Sequence, residues 1–165
     1  MENILLADIG CSYSNERSNP FYVFNIILYE KQMSKDLLLS IFQKVKEKGV
    51  IDDDLIKDLD NLFSDKSTSI LEVIQRGFTK YTYTPSNKVV WGVRAQKPPD
   101  KEYFIYPKLY CSCHDFYKAV VVERKRSFCK HLLAQTISES LNSYKEVNLQ
   151  DKEFARRVKD LNLDF

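Results

Sequence analysis

Three cysteines and a histidine, placed as Cys111-Ser112-Cys113, fifteen intervening residues, and Cys129-Lys130-His131, constrain this chain more than any other feature. A fold containing them has to bring two short pairs together, because thiolate and imidazole in this count form a complete tetrahedral shell for zinc, a metal with no geometric preference of its own. The first pair ends a segment of alternating apolar residues and the second opens a helical stripe. One metal ion therefore ties a strand end to a helix start. The residues also allow a second reading, in which the cysteines are buried hydrophobes and His131 is an ordinary helix histidine. His114, beside Cys113, is a further candidate ligand that would compete with a complete set.

Composition limits what surrounds this site. A chain of 165 residues with 44% hydrophobic residues holds one domain with a proper core. No apolar run approaches the roughly 18 to 20 residues of a membrane span; the longest, Phe21 to Tyr29, is interrupted by Asn25. Met1-Glu2-Asn3 carries no basic region ahead of an apolar run, so a soluble intracellular protein without a secretory signal is expected. A reducing compartment disfavours two disulfides among four cysteines. Cys11, far from the other three, reads as a packing residue.

Periodicity then orders the elements. Ser34 suits an N-cap for the stripe Leu37, Leu38, Ile41, Phe42 and Val45, which Gly49 stops. Asp52 to Asp54 open the stripe Leu55, Ile56, Leu59, Leu62 and Phe63. Ser67 to Ser69 open a third helix, with Ser69 and Glu72 fitting a capping box and Ser67 serving as well for the cap, ending at Gly77. The period changes to alternation over Tyr81 and Tyr83, then Val89, Trp91 and Val93, then Tyr103, Ile105 and Leu109, predicting three antiparallel strands. Pro85-Ser86-Asn87 and Lys97-Pro98-Pro99-Asp100 are the turns between them. Leu132, Leu133, Ile137 and Leu141 predict a helix from Cys129, and Asn148 with Asp151 caps a last helix carrying Phe154, Val158 and Leu161. The expected class is α+β: N-terminal helices, a small antiparallel three-stranded sheet, and C-terminal helices joined by the Cys3His site. The corresponding division is residues 1–77 as a helical region continuous with the core, 78–143 as the zinc-finger domain, and 144–165 as a C-terminal helix.

Charge is distributed unevenly although the net value is only +2. Met1 to Gln75 carries a net charge of −5, Arg76 to His131 one of +8, and Leu132 to Phe165 one of −1. Lys118, Arg124, Lys125, Arg126 and Lys130 lie between or beside the ligand pairs, with Lys80, Lys88, Arg94, Lys97 and Lys108 on or near the strands. These are candidate nucleic-acid contacts, the first five above all, although no stacking aromatic is interleaved among residues 123 to 127 except Phe128 at the edge. A solvated basic loop is the other reading. Tyr81, Tyr83 and Trp91 read as sheet core.

Catalysis finds little support. Four protein ligands leave no open position for a zinc-bound water, and the candidate cysteine nucleophiles would be bound to metal. Asp115 and Glu123 are lone carboxylates, and no phosphate-binding glycine loop is present among only four glycines. A non-enzymatic protein with one structural zinc and no small-molecule substrate is expected.

The Cys-x-Cys, spacer, Cys-x-His pattern, with Ala134 three residues after the histidine, resembles the SWIM zinc finger. Together with Cys129-Lys130-His131-Leu132-Leu133-Ala134 and a helix ending ahead of an alternating hairpin, it resembles the SWIM subunit of Shu-like homologous-recombination complexes over roughly Val50 to Leu161. The resemblance implies a nuclear, non-enzymatic partner of a RecA-like recombinase paralogue. Such a complex helps the recombinase assemble on single-stranded or branched DNA during DNA repair. The residues it carries over are Cys111, Cys113, Cys129, His131 and Ala134. SWIM fingers also occur in transposases and ubiquitin ligases, but this length leaves no room for a nuclease domain, and a RING needs eight ligands. A stand-alone nucleic-acid-binding finger acting through residues 76–131 is the alternative.

Overall fold

The computed structural model describes residues 35–63, 67–96 and 101–159. The expectations at Cys11, Phe21 to Tyr29, Ser34, the turn from Lys97 to Asp100, and Leu161 lie outside the described residues. Helix α1 runs through residues 35–48, followed by α2 (Asp53–Phe63) and α3 (Ser67–Arg76). Their ends follow the chemistry of the sequence. The Leu55 amide donates to Asp52 Oδ1 at 2.9 Å, an N-cap for α2. Gly49 and Gly77 close α1 and α3 at φ of 69° and 79°, where a side chain would be strained. The Ser67 amide donates to Asp60 Oδ1, so α2 and α3 are tied at their junction.

Five strands come next: β1 (Phe78–Thr84), β2 (Lys88–Arg94), β3 (Glu102–Tyr106), β4 (Tyr110–Cys111) and β5 (Tyr144–Gln150). Their spatial order is β4-β3-β2-β1-β5, antiparallel except for the parallel pair β1 and β5. The expected three-stranded antiparallel sheet is thus a five-stranded mixed one, and two physical facts explain the difference. The segment expected as one strand from Tyr103 through Leu109 turns at Lys108, whose φ is 60°, so Cys111 returns to lie opposite Ile105. The segment from residue 144, expected as helix, starts instead with β5, an edge strand whose four central residues, Lys145 to Asn148, are exposed. Charged exposed edges protect a sheet margin from pairing and erase the alternation that marks a strand. Helix α5 (Asp151–Lys159) comes only afterwards, the Glu153 carboxylate accepting from the Gln150 amide at 2.9 Å.

The sheet has two unlike faces. Phe78, Trp91, Val93, Ile105 and Cys111 point into the main core, with Leu38, Leu55, Leu59, Ile70 and Val73 from the helices. Helix α4 (Lys130–Ser140) belongs to this core and is buried nearly all round, His131 through Ser138 without interruption. The expected one-sided stripe is replaced by a central helix. Some of its polar members are satisfied within the helix: Thr136 Oγ1 donates to the Leu132 carbonyl, Ser140 Oγ to that of Ile137, and Gln135 Nε2 to Glu139, while Gln135 Oε1 and Ser138 Oγ are buried without a partner among the described residues. Trp91, expected in the sheet core, is 1% exposed and meets Tyr144 edge-on with centroids 4.6 Å apart.

On the opposite face Tyr81, Tyr83 and Val90 form a smaller core with Phe104, Tyr106, Leu149 and Phe154. Phe154 of α5 packs edge-on against Tyr83 at 5.1 Å. The Arg157 guanidinium lies 4.1 Å from the Tyr81 ring centre and 3.5 Å from Glu102 Oε2, while the Tyr81 hydroxyl donates to Glu102 Oε1. Gly92 makes this cluster possible. A Cβ there would stand 2.2 Å from Glu102 Oε1 and 2.8 Å from Tyr81 Cε2. We expect Gly92→Ala to cost about 1–3 kcal/mol by overpacking, read as a lower urea midpoint with an unchanged slope. An unaltered midpoint would refute the close approach.

Candidate metal centre

The β3–β4 hairpin delivers the first ligand pair. Cys111 ends β4 against Ile105, and Ser112 locks the chain beside it: the Ser112 amide donates to the Phe104 carbonyl and its hydroxyl accepts from the Phe104 amide, both at 2.9 Å. The residue between the two cysteines therefore sets their spacing. Cys113 is next, its carbonyl accepting from the Phe116 and Tyr117 amides and its sulfur from the Phe116 amide at 3.3 Å. An amide aimed at sulfur favours the thiolate.

The second pair comes from the start of α4. Cys129 occupies the N-cap with an extended backbone (φ −90°, ψ 167°), and its side chain caps no amide. The sulfur is left facing the cluster at the positive end of the helix dipole. His131 is the second residue of α4.

The four donor atoms lie within 4.8 Å of one another, and all four residues are buried. No disulfide links Cys111, Cys113 and Cys129. Burial pushes the Cys111 and Cys129 thiols up, whereas Cys113 is pulled down by hydrogen bonds from both. Three thiolates cannot ionise together in so dry a place without a cation. The imidazole makes the same point, because buried His131 Nδ1 has no hydrogen-bond partner. Sulfurs bound about 2.3 Å from a common zinc stand roughly 3.8 Å apart, a spacing this cluster accommodates. The donor set, its compactness and the orphaned nitrogen fit a zinc ion held by Cys111, Cys113, Cys129 and His131. Bound there, zinc would supply structural cross-linking with all four positions taken by protein.

Aromatic rings close the site. Tyr103 lies 4.9 Å from the His131 ring and Tyr110 packs on Phe116 at 5.5 Å, while Phe128 is 4% exposed. The fifteen residues between the pairs, expected as a basic loop, contain a π-helix at Phe116–Val122, which buries Phe116 and Ala119. Such turns recur where a helix is widened around a site. Neither the role of Ser112 nor this helix has a sequence signature; the apolar run Ala119 to Val122 is the one hint. Ala134 is fully buried in the core. His114 is exposed and stands outside the cluster.

The five candidate nucleic-acid contacts are not equivalent. Arg126 pairs with Asp115 and lies over the Phe63 ring, and Lys125 pairs with Glu123 at 3.1 Å. Lys118 and Arg124 are exposed and unpaired among the described residues, and Lys130 is half-buried at the start of α4. Arg126 thus braces the loop against α2.

Replacing one ligand should unfold the junction, since structural zinc contributes about 10–16 kcal/mol in small zinc fingers. We expect Cys111→Ser and His131→Ala to lose the cooperative thermal transition, monitored by circular dichroism. A cooperative transition within a few degrees of the wild type would contradict a structural metal.

Over 120 residues the chain is 28% identical to the human (Homo sapiens) protein named zinc finger SWIM domain-containing protein 7, an alignment covering 72% of this chain and 84% of that protein. Over 123 residues it is 26% identical to the mouse (Mus musculus) protein of the same name, covering 74% and 80%. No family model matches the chain, and no solved structure matches it. The likeness to these two proteins and the buried Cys3His cluster together support a SWIM-type zinc-finger protein with a zinc-binding centre.

Proposed function

We propose that this chain is a non-enzymatic zinc-finger subunit of a Shu-like complex. It pairs with a RecA-like recombinase paralogue in the nucleus and promotes assembly of the strand-exchange recombinase on single-stranded DNA during homologous recombination and repair. The observation that carries the proposal is the buried Cys3His cluster, whose four donors would fill a zinc shell, in a chain whose likeness to SWIM-domain proteins spans most of both sequences. A closed shell suits a scaffold, because it offers a substrate no coordination position. The zinc then acts by holding surfaces in place, and a partner reads those surfaces.

Co-expression with a recombinase paralogue should give one co-eluting species in size-exclusion chromatography at micromolar concentration. Separate peaks would contradict the assembly role.

A second reading has the chain contacting nucleic acid itself through the basic section 76–131. Exposed Lys118 and Arg124 favour it, Arg124 being held outward on a left-handed backbone with φ of 51°. If the loop itself is the contact, reversing charge at Arg124 and Lys125 weakens a salt-sensitive complex with a labelled single strand in fluorescence anisotropy, whereas a contact elsewhere in the section leaves that binding unchanged. Unchanged binding would exclude the loop as the contact.

A further inference from the structure

On the α5 side of the sheet, at the end α5 leaves uncovered, a cleft of about 860 Å³ opens over the starts of β1 and β5 and the end of β2. Thr79 lies at its base, Gly92 is buried there beneath the Glu102 carboxylate and the Tyr81 ring, and its cations are Arg76, Arg94, Lys101 and Lys145. Glu102 is the one carboxylate in the lining, and it is already engaged by the Tyr81 hydroxyl and by Arg157. Arg94 stands opposite Glu102 in the β2–β3 register, yet the Glu102 carboxylate turns over Gly92 toward Tyr81 and Arg157 and makes no ion pair with Arg94. Arg76, Arg94 and Lys145 make no ion pair among the described residues.

Helix ends near the cleft do not cancel this charge. Arg76 donates to the Glu72 and Arg94 carbonyls, and the last carbonyls of α4 accept from the Leu141, Asn142 and Ser143 amides. The sheet sets the spacing of the cations. Lys145 pairs with Thr79 and Thr79 with Gly92, so Lys145 and Arg94 lie two strands apart and two residues along, an offset of about 12 Å between their Cα atoms. Two strong cation sites at that separation suit a repeating anion.

We propose that this cleft binds the phosphate backbone of single-stranded nucleic acid, with Arg94 and Lys145 as the principal contacts and Arg76 in support. The cleft has the volume of a small-ligand site, enough for a short stretch of one strand. Arginine forks match phosphate oxygens. The polar lining explains why sequence is not read: no base edge or exposed stacking platform is engaged, so affinity comes from counterion release. The proposal deepens the direct nucleic-acid reading of the basic section and moves the contact from the Arg124–Lys125 loop to the sheet.

The test uses the full chain, alone and with its co-expressed paralogue, and a fluorescein-labelled oligothymidylate in anisotropy titrations over a salt series. Arg94→Glu with Lys145→Glu should weaken binding at least tenfold, and the neutral pair Arg94→Gln with Lys145→Gln should be intermediate. Two lost phosphate contacts should reduce the slope of log K against log salt by about 1.4. Arg124→Glu with Lys125→Glu should bind within about twofold of wild type. Wild-type affinity in the cleft variants overturns the proposal, as does an equal loss in the loop variant or no binding by the wild type. Competition by polyglutamate as effective as by unlabelled oligothymidylate would assign the cleft to an acidic polypeptide instead. Metal content and circular dichroism verify that each variant is folded. Co-elution with the paralogue is read on the same samples: cleft variants that co-elute yet bind like wild type sink the cleft alone, and a wild type that binds oligothymidylate without co-eluting sinks the assembly role alone.

Discussion

Three thiols and an imidazole crowded within 4.8 Å and cut off from water are unstable as a set of free groups, and the rest of the molecule is arranged around resolving that instability. Burial opposes ionisation at Cys111 and Cys129, and Cys113 gains negative charge only by drawing on its neighbours. A divalent cation bound by Cys111, Cys113, Cys129 and His131 would convert this mutual repulsion into four bonds. Because one pair belongs to the β3–β4 hairpin and the other to the start of α4, those bonds would join the far edge of the sheet to the central helix. Without them, the two-residue strand β4 would have little to hold it, since a short hairpin is marginal in water.

The same helix explains why the second face of the sheet is free for other work. With α4 buried nearly all round, the main core is completed on one side by α1 to α4. The other side needs only α5, which is anchored by Phe154 on Tyr83 and by Arg157 across Tyr81 and Glu102. That anchor covers the sheet as far as Gly92 and leaves Arg76, Arg94 and Lys145 at the other end of the face. Stability and recognition are thus divided between the two faces, linked through Glu102: its ties to Tyr81 and Arg157 keep it from neutralising Arg94.

Much of this was legible in the residues. The ligand spacing placed the metal site, and the Asp52 cap, the Gly49 and Gly77 stops and the alternation from Tyr81 to Val93 placed helices and strands where they occur. What escaped was set by tertiary context. β5 is a charged edge whose partner, β1, lies 66 residues earlier in register at Phe78 and Tyr144, so local pattern carries no trace of it. The turn at Lys108 depends on a left-handed backbone at a residue type that does not advertise one. The π-helix and the Ser112 lock serve the metal site and arise from its geometry. The basic residues of the spacer stood out by count, but Arg126 and Lys125 are committed to Asp115 and Glu123. Arg76, Arg94 and Lys145, which make no ion pair among the described residues, are scattered through the sequence and gather only in the folded sheet.

X-ray absorption at the zinc edge, combined with elemental analysis of purified protein, tests the central claim most directly. A closed structural centre predicts one zinc per chain in a shell of three sulfurs at about 2.3 Å and one nitrogen at about 2.0 Å. Well under one zinc per chain, or a first shell containing water oxygen in place of a sulfur or the imidazole, would contradict it.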